Sequence, residues 1–102
     1  MAEERKWKVL LMGEDFLIEF DVGVQPCGFY ASRFVVANTP EEAERAAIEL
    51  LRDDEDLIGV VRNGPGDAEP RLFAPSITEL PDFGDVQVPG AGFTFFRARR
   101  DP

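Results

Sequence analysis

Two short runs of alternating apolar and polar residues near the start of the chain predict two β-strands. The first run places apolar side chains at Trp7, Val9 and Leu11, and the second repeats this spacing from 16 to 22. Alternate side chains of a strand point to the same face, so each strand would place one face on the core. A short segment with a glycine, Gly13 to Asp15, separates the runs, which is typical of a β-hairpin loop.

The clearest helix signal follows at Thr39. This residue can serve as the N-cap, Pro40 suits the first helical position, and Glu42 falls at the third position, where it can complete a capping box. Apolar residues then recur at the spacing of one helix face, namely Ala43, Ala46, Ala47, Leu50 and Leu51. The pattern predicts an amphipathic helix from about Pro40 to Arg52. We expect it to end before or within the acidic run 53–56, because negative charge opposes the dipole at a helix C-terminus.

Four further segments complete the predicted sheet. A third strand covers 29–37 and continues an antiparallel meander, and a short strand is predicted over 57–62. The next strand, 71–80, contains Pro75, which lacks a backbone donor and therefore indicates an edge strand or a bulge. After a long loop, a last strand is predicted over 93–99.

These elements predict one α+β domain over residues 1–102. Its fold would be a mainly antiparallel β-sheet of five to six strands with one amphipathic helix packed on one face. We expect residues 1–5 and 100–102 to be frayed. No internal repeat or linker divides the chain.

Both faces of the predicted sheet carry apolar side chains, and the helix can cover only one of them. A helix of about thirteen residues is about 20 Å long, too short to cover five or six strands. Two explanations remain open. The loop 81–92 can fold over the second face, with Leu80 and Phe83 as plugs, or that face is an interface. The interface would bind a second copy of the chain, as a homodimer, or another protein.

Composition narrows the classes of partner. The net charge is −9, from 20 acidic and 11 basic residues. This field repels phosphate backbones, so we predict no nucleic-acid partner, whereas a basic protein would be attracted. No apolar stretch approaches the roughly 18 residues of a membrane span, so we predict no membrane partner. One cysteine excludes an intramolecular disulfide, and together these features predict a cytoplasmic protein.

Candidate chemistry is sparse. The chain has no histidine, which removes Ser-His-Asp catalysis and most zinc sites. Cys27 is interpreted as a small buried apolar residue rather than a reactive thiol, and the run 53–56 as a solvated charge run rather than a cation site. We therefore predict no catalytic residue, cofactor or metal ligand.

Two residues remain as candidates for contact with a ligand or a partner, Tyr30 and Arg33. Arg33 lies on a largely apolar row of its strand and must find a carboxylate or an exit to solvent. Two interpretations of Arg33 remain open. It is either a surface residue or part of a structural ion pair, or it contacts an anionic ligand.

Several segments together resemble a family of small uncharacterised bacterial proteins. They are Gly28-Phe29-Tyr30, Arg33-Phe34-Val35, the TPEEAE helix start at 39–44, ITEL at 77–80 and GFTFF at 92–96. The resemblance covers most of the chain and rests on strand, cap, helix and turn residues. It implies a bacterial origin and transfers no catalytic residue, since the family has no established activity.

The function predicted from these features is that of a non-enzymatic protein-interaction or accessory module. The alternative is a small-molecule-binding protein or an unusual enzyme. Its pocket would lie at the sheet–helix seam or at a dimer seam, lined by Tyr30 and Arg33.

Overall fold

The computed structural model of the chain describes residues 4–67 and 69–97. Its elements are β1 (Arg5–Phe20), β2 (Gly23–Ala37), α1 (Pro40–Arg52), α2 (Glu55–Ile58), β3 (Arg71–Leu80) and β4 (Thr94–Arg97). The strands form one antiparallel sheet in the order β3-β1-β2-β4, and α1 packs on one face. The predicted antiparallel α+β class is confirmed. The predicted number of five to six strands is wrong, because the described sheet has four.

The predicted hairpin loop at Gly13 is a bulge inside one long strand. The pairing of β1 with β2 shifts between Gly13 and Phe16, where β1 carries one more residue than β2. The extra residue moves Phe16 onto the face that already holds Trp7 and Leu11, although its position in the sequence is even and theirs are odd. The two runs thus share one buried face, and the chain reverses only at 21–22.

The predicted strand over 57–62 is also wrong in its first half. Asp54 is the N-cap of the short helix α2, which extends to Ile58, so Leu57 and Ile58 do not pair with a strand. The second half does approach β1. Val61 bridges Ile18, and the N–H of Glu19 donates to the carbonyl of Val60 at 2.8 Å.

Pro75 lies at a position that tolerates the absence of a backbone N–H donor. Strand β3 is an edge of the sheet, as the proline predicts, and its pairing with β1 shifts around the proline. Leu10 pairs with Ser76 and Met12 pairs with Phe73, which leaves one extra residue on β3. The last strand, β4, covers only Thr94–Arg97, and 98–99 of the predicted strand lie outside the described residues.

The cap of α1 forms as the sequence predicts, with one difference. The N–H of Glu42 donates to Oγ1 of Thr39 at 3.1 Å. The carboxylate of Glu42 accepts from the N–H of Asn38 at 3.1 Å, one residue before the N-cap. The helix ends at Arg52, immediately before the acidic run, and Asp53 is its C-cap. Its buried face is made by Ala43, Ala47 and Leu51.

The second face of the sheet is covered in part by the loop after β3. The ring of Phe83 packs edge-on against Phe34 at 6.1 Å, and the N–H of Phe34 donates to the carbonyl of Pro89 at 2.8 Å. Leu80, the other proposed plug, is half-buried at the end of β3. Val36 nevertheless remains 45% exposed, so the loop does not cover this face completely.

Of the termini expected to be frayed, residues 1–3 and 100–102 lie outside the described residues. Arg5 is described and begins β1. Its guanidinium forms an ion pair with Glu79 of β3 at 2.6 Å, so it belongs to the sheet.

A side chain at Gly13 should destabilise the fold, because a Cβ there would overlap the ring of Phe29. Gly13→Ala is expected to lower the free energy of unfolding by about 1–3 kcal/mol, the usual cost of overpacking a core. Denaturant unfolding followed by Trp7 fluorescence measures this change. Gly64→Ala is the matched control, since the nearest atom to its new Cβ is 3.8 Å away. Equal losses in the two variants would contradict the role given to the bulge.

Candidate functional site

Arg33 is the only charged side chain that is buried among the described residues, with 2% exposure. Strand β2 places it on the face that packs under α1, between Ala31 and Val35. Its Nη1 donates to two carbonyl oxygens, that of Ser32 at 2.8 Å and that of Gly92 at 3.2 Å. The guanidinium also lies 5.1 Å from the ring centroid of Phe93, within the range of a cation–π contact.

The carboxylate that Arg33 requires is supplied by Asp54. Its Oδ2 lies 3.7 Å from Nη2 of Arg33, which is within ion-pair range but too long for a hydrogen bond. Nη2 is therefore buried without a hydrogen-bond partner among the described atoms. Burial lowers the pKa of the Arg33 guanidinium, and the negative charge of Asp54 opposes this shift. The guanidinium stays protonated at any physiological pH, so the site is a buried cation beside one carboxylate.

The two carboxylate oxygens of Asp54 contact different partners. Its Oδ1 accepts the N–H groups of Asp56 at 2.9 Å and Leu57 at 3.3 Å, and thereby caps α2. Its Oδ2 faces Arg33. The acidic run is therefore not uniformly a solvated surface, because Asp54 is directed inward while Asp53 is exposed. A Glu or Asp pair after an Asp N-cap is a helix-start signal, and it could have identified α2 from the sequence.

This arrangement has the properties of a structural ion pair rather than an anion-binding site. A ligand anion would have to reach Nη2, which is buried, and displace Asp54 from the junction of α1 and α2. Within residues 4–67 and 69–97, no group of three or more His, Cys, Asp or Glu residues is placed to hold a metal ion.

Tyr30 and Arg33 do not meet. They are three positions apart on one strand, so they point to opposite faces of the sheet. Tyr30 is 40% exposed on the face away from α1, and its ring packs against Phe96 at 5.1 Å. It borders a cavity of about 600 Å³. We call this the Tyr30 cavity, and its walls include Tyr30, Phe34, Gly90 and Gly92.

Cys27 is buried at 3% exposure, as its interpretation as a small apolar residue predicts. Its Sγ donates to the carbonyl of Phe96 at 3.1 Å, which ties β2 to β4. Burial raises the pKa of the Cys27 thiol, so the reactive thiolate is disfavoured at neutral pH.

Two apolar surfaces were missed by the sequence analysis. The first, the hairpin-end patch, consists of Phe20, Val22, Pro26 and Phe95, which line a cleft of about 310 Å³ at the turn between β1 and β2. Val22 is 80% exposed, and the rings of Phe20 and Phe95 meet edge-on at 5.8 Å. Helix α1 packs on β1, β2 and β3 but not on β4, so it does not extend over this end.

The second surface, the α2 groove, is a cleft of about 420 Å³ lined by Phe16, Leu51, Leu57, Ile58, Pro70 and Leu72. It lies where α1 and α2 meet the sheet. The groove was not expected because residues 57–62 were predicted to form a strand. In the structure Leu57 belongs to helix α2 and lines the groove together with Leu51.

No family model matches the chain, and the comparisons with curated proteins and with solved structures found no match. Among the described residues, no helix is both long enough and apolar enough to span a bilayer.

Loss of the Asp54 charge should destabilise the fold more than loss of a neighbouring charge. Asp54→Asn keeps an oxygen that can cap α2 but leaves the cation of Arg33 without a counter-charge. We expect the free energy of unfolding to fall by about 2 kcal/mol, the scale for an uncompensated buried group. Asp53→Asn is the control, since Asp53 is exposed. Chemical denaturation compares the two, and equal stability would show that Arg33 does not depend on Asp54.

Proposed function

We propose that this chain is a non-enzymatic protein-interaction module that forms a homodimer through its hairpin-end patch. The observation that carries the proposal is the exposure of large apolar side chains at one end of the sheet. Val22 is 80% exposed, and Phe20 and Phe95 are 36% and 37% exposed. Contiguous apolar surface of this kind is a usual mark of a contact site, since covering it removes apolar area from water.

The charges around the patch favour a second copy of the chain as its occupant. Two molecules of net charge −9 repel each other, so self-association needs a surface with little charge of its own. At the hairpin end, Glu19 is neutralised by Arg62 at 2.6 Å. Among the described residues, Asp21 of the turn has no ion-pair partner. A two-fold contact here brings apolar side chains together while the acidic helices stay apart.

The proposed setting is the cytoplasm of a bacterium, where the dimer would act as an accessory protein. The resemblance to small bacterial proteins supports the origin. The buried free thiol of Cys27 is compatible with a reducing compartment, in which cysteines stay unpaired.

The test of the homodimer is the molar mass in solution by light scattering across a dilution series. We expect twice the chain mass of 11.4 kDa for the wild type. Val22→Lys should weaken the dimer at least about tenfold, because it places a charge in the apolar contact. Val88→Lys is the control, as this valine is also exposed, at 46%, but lies outside the patch. A wild-type monomer at every concentration, or equal weakening by both variants, would contradict the proposal.

A second candidate function is the binding of a small molecule in the Tyr30 cavity. The supporting observation is the cavity itself, whose volume of about 600 Å³ is in the range of ligand sites. Gly90 and Gly92 form part of its wall, and because they carry no side chain a ligand can approach their backbone closely. Arg33 does not line the cavity, but it donates to the carbonyl of Gly92, which is one of the lining residues.

A thermal-shift screen with a panel of metabolites tests this second function. A ligand at about 100 times its dissociation constant would add roughly 2.7 kcal/mol of stability and raise Tm by several degrees. Tyr30→Leu should abolish the shift while it keeps an apolar contact with Phe96. Val36→Ala, on the same face but outside the cavity, should preserve it. The absence of any concentration-dependent shift would remove this candidate.

A further inference from the structure

The α2 groove is a second apolar surface, remote from the hairpin-end patch in the sequence and formed by different elements. Leu57 of α2 and Leu51 of α1 form its inner wall, and Ile58 forms its outer rim. Ile58 is 56% exposed, although it lies in a helix that presents the neighbouring Leu57 to the core. An exposed isoleucine beside an open apolar cleft is a favourable place for a partner's apolar side chain.

The charges next to the groove are acidic and unpaired. Asp53, Glu55 and Asp56 immediately precede the groove residues of α2, and none has an ion-pair partner among the described residues. Some acidic residues elsewhere are paired, since Glu19 and Glu79, for example, are held by arginines at 2.6 Å.

One cation, Arg52, does line the groove, so the local charge is negative but not uniformly so. The nearby carboxylates still outnumber it. The net charge of the whole chain has the same sign, so the long-range field adds to the local one.

We propose that the α2 groove binds a basic, amphipathic segment of a partner protein. An apolar side chain of that segment contacts Leu57 and Ile58, and its lysine or arginine side chains lie beside Asp53, Glu55 and Asp56. Charge complementarity selects this occupant, because a second copy of this acidic chain would be repelled from the same surface. The proposal is independent of the homodimer, which uses the other end of the sheet.

The groove is also preorganised for binding. Asp54 caps α2 through Oδ1 and faces the buried Arg33 through Oδ2, so the start of the helix is fixed to the sheet. Leu57 is held at 5% exposure in the core. A partner that binds a surface already in its bound shape loses less free energy to ordering.

The test uses a fluorescent synthetic peptide of leucine and lysine arranged to form an amphipathic helix, with binding measured by anisotropy on the intact protein. Ile58→Ser should weaken binding at least about tenfold, and Val36→Ser, at a site of similar exposure, should change it less than about twofold. Circular dichroism checks that each variant is folded.

A second experiment tests the contribution of charge with two double variants, each of which neutralises two carboxylates. Glu55→Gln/Asp56→Asn should weaken binding several-fold and reduce its dependence on salt, because fewer ion contacts are screened. Glu41→Gln/Glu44→Gln removes the same charge from the other end of the α1–α2 segment and should leave the salt dependence nearly unchanged. A peptide with glutamate in place of lysine should not bind.

Three results would overturn the proposal. They are equal binding by wild type and Ile58→Ser, equal effects of the two double variants, and a change of molar mass on Ile58→Ser, which would show that a second copy occupies the groove. The first two results do not bear on the hairpin-end patch, whose test is Val22→Lys, so failure of one proposal is distinguishable from failure of the other. The third result would also count against a dimer formed through that patch.

Discussion

A buried positive charge constrains how the segments of this chain can be arranged. Arg33 lies under the helix layer, where an ionised group without partners would cost several kcal/mol. Its partners come from separate segments, namely the carbonyl of Gly92 and the ring of Phe93 before β4, and the carboxylate of Asp54 between the helices. Because all of them lower the cost of one charge, the loop, the helix junction and β2 are tied to a common geometry. Displacing any one segment would leave the cation less well compensated.

The bulge at Gly13 determines which side chains share the layer with that charge. Without the extra residue, Phe16 and Ile18 would lie on the face opposite Leu11, and the core would be split between the two sides of the sheet. With it, one face of β1 is buried along most of its length. Strand β1 has 16 residues at about 3.3 Å each, whereas the 13-residue helix α1 is only about 20 Å long, and the helix does not contact β4. The apolar end of the hairpin is therefore a consequence of a strand longer than the element that covers it.

Periodicity predicted the parts of this fold that depend on neighbours in sequence. Local spacing predicts the cap at Thr39, the limits of α1 and the edge position of Pro75. It also predicts that Arg33, on an apolar row of its strand, needs a carboxylate or an exit to solvent. The identity of the carboxylate did not follow, because Asp54 is one of many acidic residues and only the tertiary fold brings it to Arg33. The bulge was misread as a turn, since a glycine between two alternating runs fits both. The change from odd to even apolar positions across Gly13 was the signal that one extra residue had to be accommodated.

The two surfaces proposed for binding differ in the carboxylates that lie beside them. The carboxylate of Asp54 is directed to Arg33 and contributes little to the outer field, while Asp53 and Asp56 remain exposed beside the α2 groove. At the hairpin end, the carboxylate of Glu19 is paired with an arginine, which leaves Asp21 as the other acidic residue of that segment. An apolar surface beside unpaired carboxylates attracts a cationic partner, and one beside a neutralised pair tolerates its own copy. Because the two surfaces are formed by different elements, one molecule could hold both partners at once.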